Sequence, residues 1–503
     1  MIQTGAAREP RREPPTVSLV VLQTDAEQAR LADEPAFDAL LGQGWQGLIV
    51  DASESLKQGL ETGLARARGQ FVIYVTPDQV PTSALAQQVL DELCAHPDCD
   101  VMYFDEAPDA ERPGFVKPAH SPERLRSQNY WGSFVAYKGD LLQLVVDQSL
   151  DFDGAEFYAL ALRASRRGST IRKSLVQVPR ALCVTDHARR HDNAAYRQGV
   201  RRALDEHFAE TGGGFIDSVD DNGIHQTRRH VVGNPLVSVI VPTRGSSRSD
   251  RAGSRAMVLD AVEGIVKKTT YDRLEFVIVA DDTTPDDVIA DLRMTLGDRL
   301  SLVPWSREFS FSEKMNLGVV ASRGEYLLFL NDDVDLISPD WVQAMLSLAQ
   351  LPRAGTVGAM LYFDDDTVQH AGHAYSWSDV THVGLHSDRG AEGPNGAFLV
   401  EREVDGNTAA CMMIKRDRFF EAGGFSPILP GNFNDVDLCM KMNALGYVSY
   451  WTPRAELYHF ESATRDPRVS AYEVDRTWGR WGNEFGRCGF WPTDPHVRYR
   501  KGN

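Results

Sequence analysis

Three short stretches in the second half of the chain bring together residue types that can do chemistry. Leu330-Asn331-Asp332-Asp333-Val334-Asp335 sets carboxylates so densely that they repel one another unless a cation lies among them. Hard divalent ions prefer such oxygen ligands, and Mg2+ or Mn2+ held this way commonly also holds substrate phosphates. An acidic loop turned to solvent is the plain alternative. Asp435 and Asp437, in Gly431-Asn432-Phe433-Asn434-Asp435-Val436-Asp437-Leu438-Cys439, precede the amphipathic stretch KMNALGY and so fall near a helix start. A carboxylate there can cap the helix or stand exposed as a general base. His459, in Glu456-Leu457-Tyr458-His459-Phe460-Glu461-Ser462-Ala463-Thr464-Arg465, has an acid and an arginine close behind it. A lone histidine is more often structural. Beside an arginine suited to phosphate, and after two acidic clusters, it reads as a metal ligand.

Short β-branched runs must position these residues. VSVIVPTR from Val237 ends in Pro242-Thr243-Arg244-Gly245, FVIVADDT ends near Asp281 and Asp282, and GEYLLFLNDD leads into the acidic cluster. Each reads as a buried parallel strand, and MVLDAVEGIVKK and WVQAMLSLAQ between them read as helices. Alternation of this kind predicts a doubly wound, Rossmann-like α/β sheet, in which ligands bind at the carboxyl ends of the strands. The first half repeats the plan. VSLVVLQT from Val17 and LIVDAS ending near Asp51 match the first two strands, and ARARGQFVIYVTPDQV matches VASRGEYLLFLNDDVD with Gly69 facing Gly324 and Asp78 facing Asp333. Tyr103 then matches Tyr362, Lys138 matches Lys415 and Gly168 matches Gly446, in unbroken order. The expected architecture is two tandem α/β domains, the second complete and the first shortened. The expected boundaries are a flexible N-terminus over 1–15, the first copy over 16–211, a Gly- and Asp-rich linker over 212–234, the second copy over 235–465 and a tail over 466–503 packing on it.

Composition narrows the function. The 503 residues carry 53 Lys and Arg against 71 Asp and Glu, a net charge of −18 that fits a nucleic-acid partner poorly. The longest apolar runs fall well short of the ~20 residues that span a bilayer. No apolar stretch near the N-terminus resembles a signal peptide, and six scattered cysteines make neither a zinc pattern nor a disulfide framework. A cytoplasmic protein with reduced thiols is expected. The basic run from Arg189 to Arg202 is the best patch for peripheral contact with the inner membrane leaflet, or else an ordinary exposed helix face.

The series VSVIVPTR, VIVADD, FSFSEKMNLGVVASRGEYLLFLNDDVD, TVQHAGH, FNDVDLCMKMNALGY and ELYHFESATR resembles the inverting family 2 glycosyltransferases of GT-A fold, in particular bacterial enzymes of surface-polysaccharide synthesis. The likeness covers about Pro235 to Arg465. It implies that Asp281 or Asp282 contacts the nucleotide base, that Pro242 and Thr243 line the same pocket, and that Asn331-Asp332-Asp333 stands where the family has its DxD metal motif, with Asp333 the direct ligand. It further implies a metal-site role for His459, a pyrophosphate contact for Arg465, and the base at Asp435, where Asn434 replaces the usual Glu. Lys314 and Asn316 are expected at the donor's sugar or phosphates, unless Lys314 is simply an exposed helix lysine. His370, in QHAG, either contacts donor or makes a structural bond. The donor would be a UDP-, dTDP- or GDP-sugar with Mg2+ or Mn2+, and the acceptor a glycan or lipid-linked glycan.

The same register applied to the first copy shows losses. Asp51 and Asp78 keep the places of Asp281 and Asp333, but Ala52, Thr76 and Pro77 replace Asp282, Asn331 and Asp332. Phe157 falls opposite Asp435, and a phenyl ring takes no proton. Thr185 falls opposite His459 when Pro179 is set against Pro453. The first copy therefore reads as inactive in transfer, unless Glu156 or Asp153 serves as a base. Three rivals remain at this level: a nucleotidyltransferase, a silent nucleotide- or glycan-binding protein, and a bifunctional transferase with a second site in the first copy.

Overall fold

The computed structural model describes residues 14–24, 41, 45–108, 114–147, 149–168, 174–185, 194–220, 223–250, 253–460, 469–487 and 489–502. Two compact units emerge, one of residues 1–120 and 129–210, the other of 121–128 and 211–503. Most of the stretch expected as the N-terminal arm, residues 1–13, lies outside the described residues.

The first unit is built on β1 (Val17–Gln23), β2 (Gln46–Asp51), β3 (Phe71–Val75), β4 (Gln79–Pro81), β5 (Val101–Ala107), β6 (Val135–Lys138) and β7 (Leu175–Thr185), which form one sheet in the order β2-β1-β3-β6-β5-β7-β4. Val17, Leu19 and Val21 of β1 and Phe71, Ile73 and Val75 of β3 point to one face and pack with the helix Leu85–Ala95. The helix Ala194–Glu210 buries Val200, Leu204 and Phe208 and leaves Arg201 and Arg202, in the described part of the basic run, exposed.

The second unit opens with a hairpin of β8 (Gly214–Val219) and β9 (His225–Arg229), where the sequence predicted only a linker. Then follow β10 (Val237–Thr243), a second hairpin of β11 (Ser247–Asp250) and β12 (Gly253–Ala256), β13 (Leu274–Asp281), β14 (Leu300–Trp305), β15 (Tyr326–Leu330), β16 (Val334–Leu336) and β17 (Ala354–Tyr362). After β17 the chain makes a long excursion through β18 (Val368–His370), β19 (His373–Tyr375), β20 (Val380–His382) and β21 (Arg402–Val404) before β22 (Cys411–Lys415) and β23 (Val448–His459). The main sheet runs β14-β13-β10-β15-β22-β17-β23-β16. Its strands are apolar on both faces for a physical reason: Val237, Val239, Val241, Phe276 and Leu328 pack with the helices Met257–Lys268 and Trp341–Ala349, while Ile240, Val277, Leu327 and Phe329 pack with Phe311–Ala321 and Asn434–Ala444 on the other side.

Apart from β14 and the two strands that pair off the main path, β18 on β17 and β21 on β23, the two sheets share one topology. The order of the first unit maps onto β13-β10-β15-β22-β17-β23-β16, and each neighbouring pair keeps its parallel or antiparallel sense. The likeness extends to single hydrogen bonds. Gly69 N–H donates to Ser18 Oγ at 2.9 Å, and Gly324 N–H donates to Ser238 Oγ at 2.8 Å. A side chain on either glycine would collide with the backbone of the first strand.

One sequence expectation is corrected at its boundary. Ser121–Gln128, inside the span 16–211, belongs to the second unit. There Glu123 accepts from Arg126 at 2.7 Å and from Arg229 at 2.6 Å, and Arg126 also pairs with Glu401. No described helix is long and apolar enough to cross a membrane.

Candidate active site

The carboxyl ends of β10, β13 and β15 meet the N-terminus of the helix Asn434–Ala444 around a cavity of about 570 Å³. Pro242, Thr243, Asp281, Lys314, Asp332, Asp333, Asp435 and His459 all line it. Asp282 and Asn316 do not. Asp282 lies exposed beyond the end of β13. Asn316 spends its amide on Phe425, donating to the carbonyl at 2.8 Å and accepting the N–H at 3.0 Å, so it braces a turn. Arg465 falls outside the described residues.

On the cavity floor, Thr243 Oγ1 donates to Asp332 Oδ2 at 2.6 Å and accepts from Gly245 N–H at 2.9 Å. The Thr243 hydroxyl thus holds Asp332 and the turn after β10. Burial, together with the Asp333 carboxylate beside it, pushes the Asp332 carboxyl up to about 6. Lys314 is buried and not the exposed helix lysine of the plain reading. Its ammonium pairs with Asp281 and donates to the Thr243 carbonyl at 3.3 Å, and burial lowers its pKa despite that partner. It offsets the charge of two carboxylates, Asp281 and Asp332, that face the cavity.

Asp333 and His459 are brought together by strand pairing. His459 ends β23 directly opposite Val334 of β16, next to Asp333. Gln369, on β18, clamps the histidine twice: its Oε1 lies 2.7 Å from His459 Nδ1 and its Nε2 donates to the His459 carbonyl at 3.2 Å. That arrangement assigns the proton to Nδ1 and leaves the Nε2 lone pair facing Asn331 Nδ2 at 2.9 Å and Asp333 Oδ1 at 3.3 Å. Burial opposes charge on Asp333, while the His459 ring in its charged form, together with Asn331, outweighs it and holds the carboxyl below the usual range. Asp333 Oδ1 is buried without a hydrogen bond. A carboxylate oxygen and a ring lone pair pointed at the same space fit a divalent cation between them.

Asp435 is the second residue of its helix, just after Phe433, which takes a left-handed conformation (φ 55°) to turn the chain into it. Its Oδ1 accepts from Val436 N–H at 2.8 Å and its Oδ2 from Ala409 N–H at 3.2 Å, which aims the carboxylate at the cavity. Asp437 cannot share that role. It is fully buried and consumed by Ser426, Lys441, Arg480 and Trp481 at 2.5–2.9 Å.

Several residues of the site were not singled out from sequence. Arg244 supplies the guanidinium among the described lining residues, on the turn after β10. Gln369 sits beside a noticed histidine but carries no chemistry of its own. Glu473, in the tail, accepts from Gly431 N–H at 2.9 Å, Asn432 N–H at 2.7 Å and Asn432 Nδ2 at 2.9 Å, and so shapes the cavity rim from the helix Ala471–Phe485. The Ser470-x-x-Glu473 spacing of a capping box was a readable sign of that helix start. The same helix sets Trp478 against Phe433 with ring centroids 5.6 Å apart.

Residues 238–419, spanning β10 to the start of the helix after β22, match the Glycosyl transferase family 2 domain. The chain carries a family 2 glycosyltransferase domain. It is 32% identical over 436 residues to the uncharacterized protein y4gI of Sinorhizobium fredii, covering 82% of this chain and 46% of that one. It is 29% identical over 504 residues to the O-antigen biosynthesis protein RfbC of Myxococcus xanthus, covering 92% and 38% respectively. The chain thus spans less than half the length of these two relatives. Among solved structures, GalNAc-T7 with UDP, GalNAc and Mn2+ superposes with a TM-score of 0.41 at 14% identity, over 50% of each chain. A score of that size bears on neither ligand nor mechanism.

Proposed function

We propose that the chain is an inverting, divalent-metal-dependent glycosyltransferase that moves a sugar from a nucleotide-sugar donor to a hydroxyl of a glycan or lipid-linked acceptor in bacterial surface-polysaccharide synthesis. Asp333, His459 and Asp435 open onto one cavity whose wall also holds Pro242 and Asp281, and that placement carries the proposal. The family 2 domain and the similarity to an O-antigen biosynthesis protein support it.

In this reading Pro242 and Asp281, at the ends of β10 and β13, receive the nucleotide, and Lys314 holds Asp281 in place from beneath. Asp333 and His459 would hold Mg2+ or Mn2+, which when bound stabilises the negative charge that grows on a departing diphosphate. Arg244 adds a positive charge on the same wall. Asp435 takes the proton of the acceptor hydroxyl as its oxygen attacks the anomeric carbon from the face opposite the diphosphate. One carbon–oxygen bond forms as the other breaks, and the anomeric centre inverts. A single open carboxylate suffices, which agrees with the burial of Asp437. In the first unit, Glu156 is buried with one oxygen on Phe152 N–H at 3.1 Å, and Asp153 pairs with Arg202 at 2.7 Å.

The test is nucleotide release from a panel of UDP-, dTDP- and GDP-sugars with Mn2+ or Mg2+, in wild type and Asp435→Asn. Metal-dependent release from one donor is expected. It should fall about 10²–10⁴-fold in the variant, with nucleotide–metal binding by calorimetry unchanged. Release that Asp435→Asn leaves intact would remove the base assignment. Nucleotide binding without release, across a panel that includes acceptor extracts, would make the chain a silent binding protein.

A further inference from the structure

The excursion between β17 and β22 places three histidines on short strands. His370 ends β18, His373 begins β19 and His382 ends β20. His373 and His382 are direct partners across the antiparallel β19–β20 ladder, so their rings share one face of a hairpin. The three ring centroids lie 4.7–5.0 Å apart with planes crossing at 78–81°. One nitrogen from each ring lies within 4.8 Å of the other two, and the Nδ1 atoms of His370 and His382 are 2.9 Å apart. Ligands of a tetrahedral ion at 2.0–2.1 Å stand roughly 3.4 Å from one another. The trio's nitrogens bracket that spacing, with the His370–His382 pair at 2.9 Å and all three within 4.8 Å.

The surroundings supply what histidine ligands need behind them. Tyr375 Oη lies 3.2 Å from His373 Nδ1, and a proton on that nitrogen leaves the lone pair on Nε2. Behind His370 stands the segment Asn407-Thr408. Asn407 donates both amide hydrogens, to Thr356 Oγ1 at 3.1 Å and the Tyr450 carbonyl at 2.9 Å, while its Oδ1 is buried without a hydrogen bond. As the ring stands, Thr408 N–H donates to His370 Nε2 at 3.4 Å; a proton moved to that nitrogen would instead serve the Asn407 oxygen and leave Nδ1 to a cation. His373 and His382 line the cavity, whereas His370 is fully buried behind them, so a fourth coordination position would face the cavity.

We propose that His370, His373 and His382 form a second metal site, selective for a borderline transition ion of the Zn2+ class, with an open position toward the cavity. An all-nitrogen set suits Zn2+ or Co2+ far better than Mg2+ or Mn2+, which separates this site chemically from Asp333 and His459. The site also lies behind the loop that bonds Asp435. Thr408 N–H is 3.4 Å from His370 Nε2, and the next N–H, that of Ala409, donates to Asp435. An ion held there would brace the Thr408–Ala409 loop that bonds Asp435. The site stands on ligand geometry and is independent of the transferase reading.

The test uses the full chain stripped with EDTA and dialysed against Zn2+ in excess Mg2+, with bound metal measured by elemental analysis. One Zn2+ per chain is expected, and Co2+ in its place should give the strong visible bands of a four-coordinate ion. His373→Gln and His382→Gln should each weaken binding at least about 100-fold and Asn407→Ala about tenfold, whereas Asp333→Asn with His459→Gln should leave the Zn2+ stoichiometry unchanged. Absence of stoichiometric Zn2+ from the wild type, or its survival in the His373→Gln/His382→Gln double variant, would show a hydrogen-bonded trio and no metal site. Should the variants fail to fold, the wild-type Co2+ spectrum decides: weak six-coordinate bands overturn the proposal.

Discussion

Replacing Asp332 by asparagine removes a charge that the metal-free protein holds at a cost. Burial and the neighbouring Asp333 carboxylate raise the Asp332 carboxyl from 3.8 to about 6, against the pull of the Thr243 hydroxyl. A carboxyl raised in the folded state adds no penalty below about pH 4, where it is neutral in both states. It destabilises progressively as the pH rises through 6, where the unfolded chain carries the charge more easily. A gap of about two units corresponds to at most about 3 kcal/mol. Asparagine keeps an oxygen for the Thr243 hydroxyl, now 2.6 Å from Asp332 Oδ2, so the packing need not change. In EDTA, urea unfolding of Asp332→Asn and wild type should coincide at about pH 3 and diverge toward pH 8, with the variant more stable. Mn2+ should reverse the order at pH 8, because a cation recovers in the wild type the energy that the crowded carboxylates cost. A difference that does not depend on pH, or a variant less stable than wild type at pH 8 in EDTA, would refute the reasoning.

Gln369→Ala frees the His459 ring from both of its clamps, and Mn2+-dependent nucleotide binding should weaken about 10–100-fold by calorimetry; a change under twofold would remove Gln369 from the site. Glu473→Ala leaves the N–H groups of Gly431 and Asn432 without their acceptor, and urea unfolding should show a loss of about 1–3 kcal/mol together with a raised KM for acceptor.

The sheet was legible because its strands are buried on both faces and so read as continuous β-branched runs, with acids placed where the runs stop. Asp281, Asp332 and Asp333 reach one cavity for that reason: parallel strands deliver the residues at their ends to the same edge, where the N-terminus of the helix Asn434–Ala444 brings Asp435 to meet them. The misplaced residues are those whose side chains serve the backbone. Asn316 has the amide of a ligand contact but spends it on Phe425, and no spacing rule separates the two uses. Lys314 looked like a helix-surface lysine or a phosphate contact because its pairing with Asp281 joins residues far apart in sequence. The three-histidine hairpin was half visible. QHAG drew attention to His370, but a cross-strand pairing of His373 with His382 becomes apparent only once β19 and β20 are known to pair. The docking of Ser121–Gln128 depends on Glu401 and Glu403, which lie in another part of the chain altogether.

The two units show how little of a fold its chemistry occupies. Thr185 ends β7 directly opposite Gln79 of β4, as His459 ends β23 opposite Val334 of β16. Phe157 is the second residue of the helix Glu156–Gly168, as Asp435 is of Asn434–Ala444. At these two positions the first unit carries neither the histidine nor the carboxylate of the proposed site, and Phe157 instead packs edge-on against Tyr74 of β3 at 6.2 Å. A ring that fills its site with apolar contact stabilises the unit and closes the space that a base would need. The long excursion of the second unit supplies Gln369 and the three histidines, the groups that orient His459 and back the loop of Asp435. Restoring a carboxylate at Phe157 alone would therefore bury a charge without restoring the excursion that positions one.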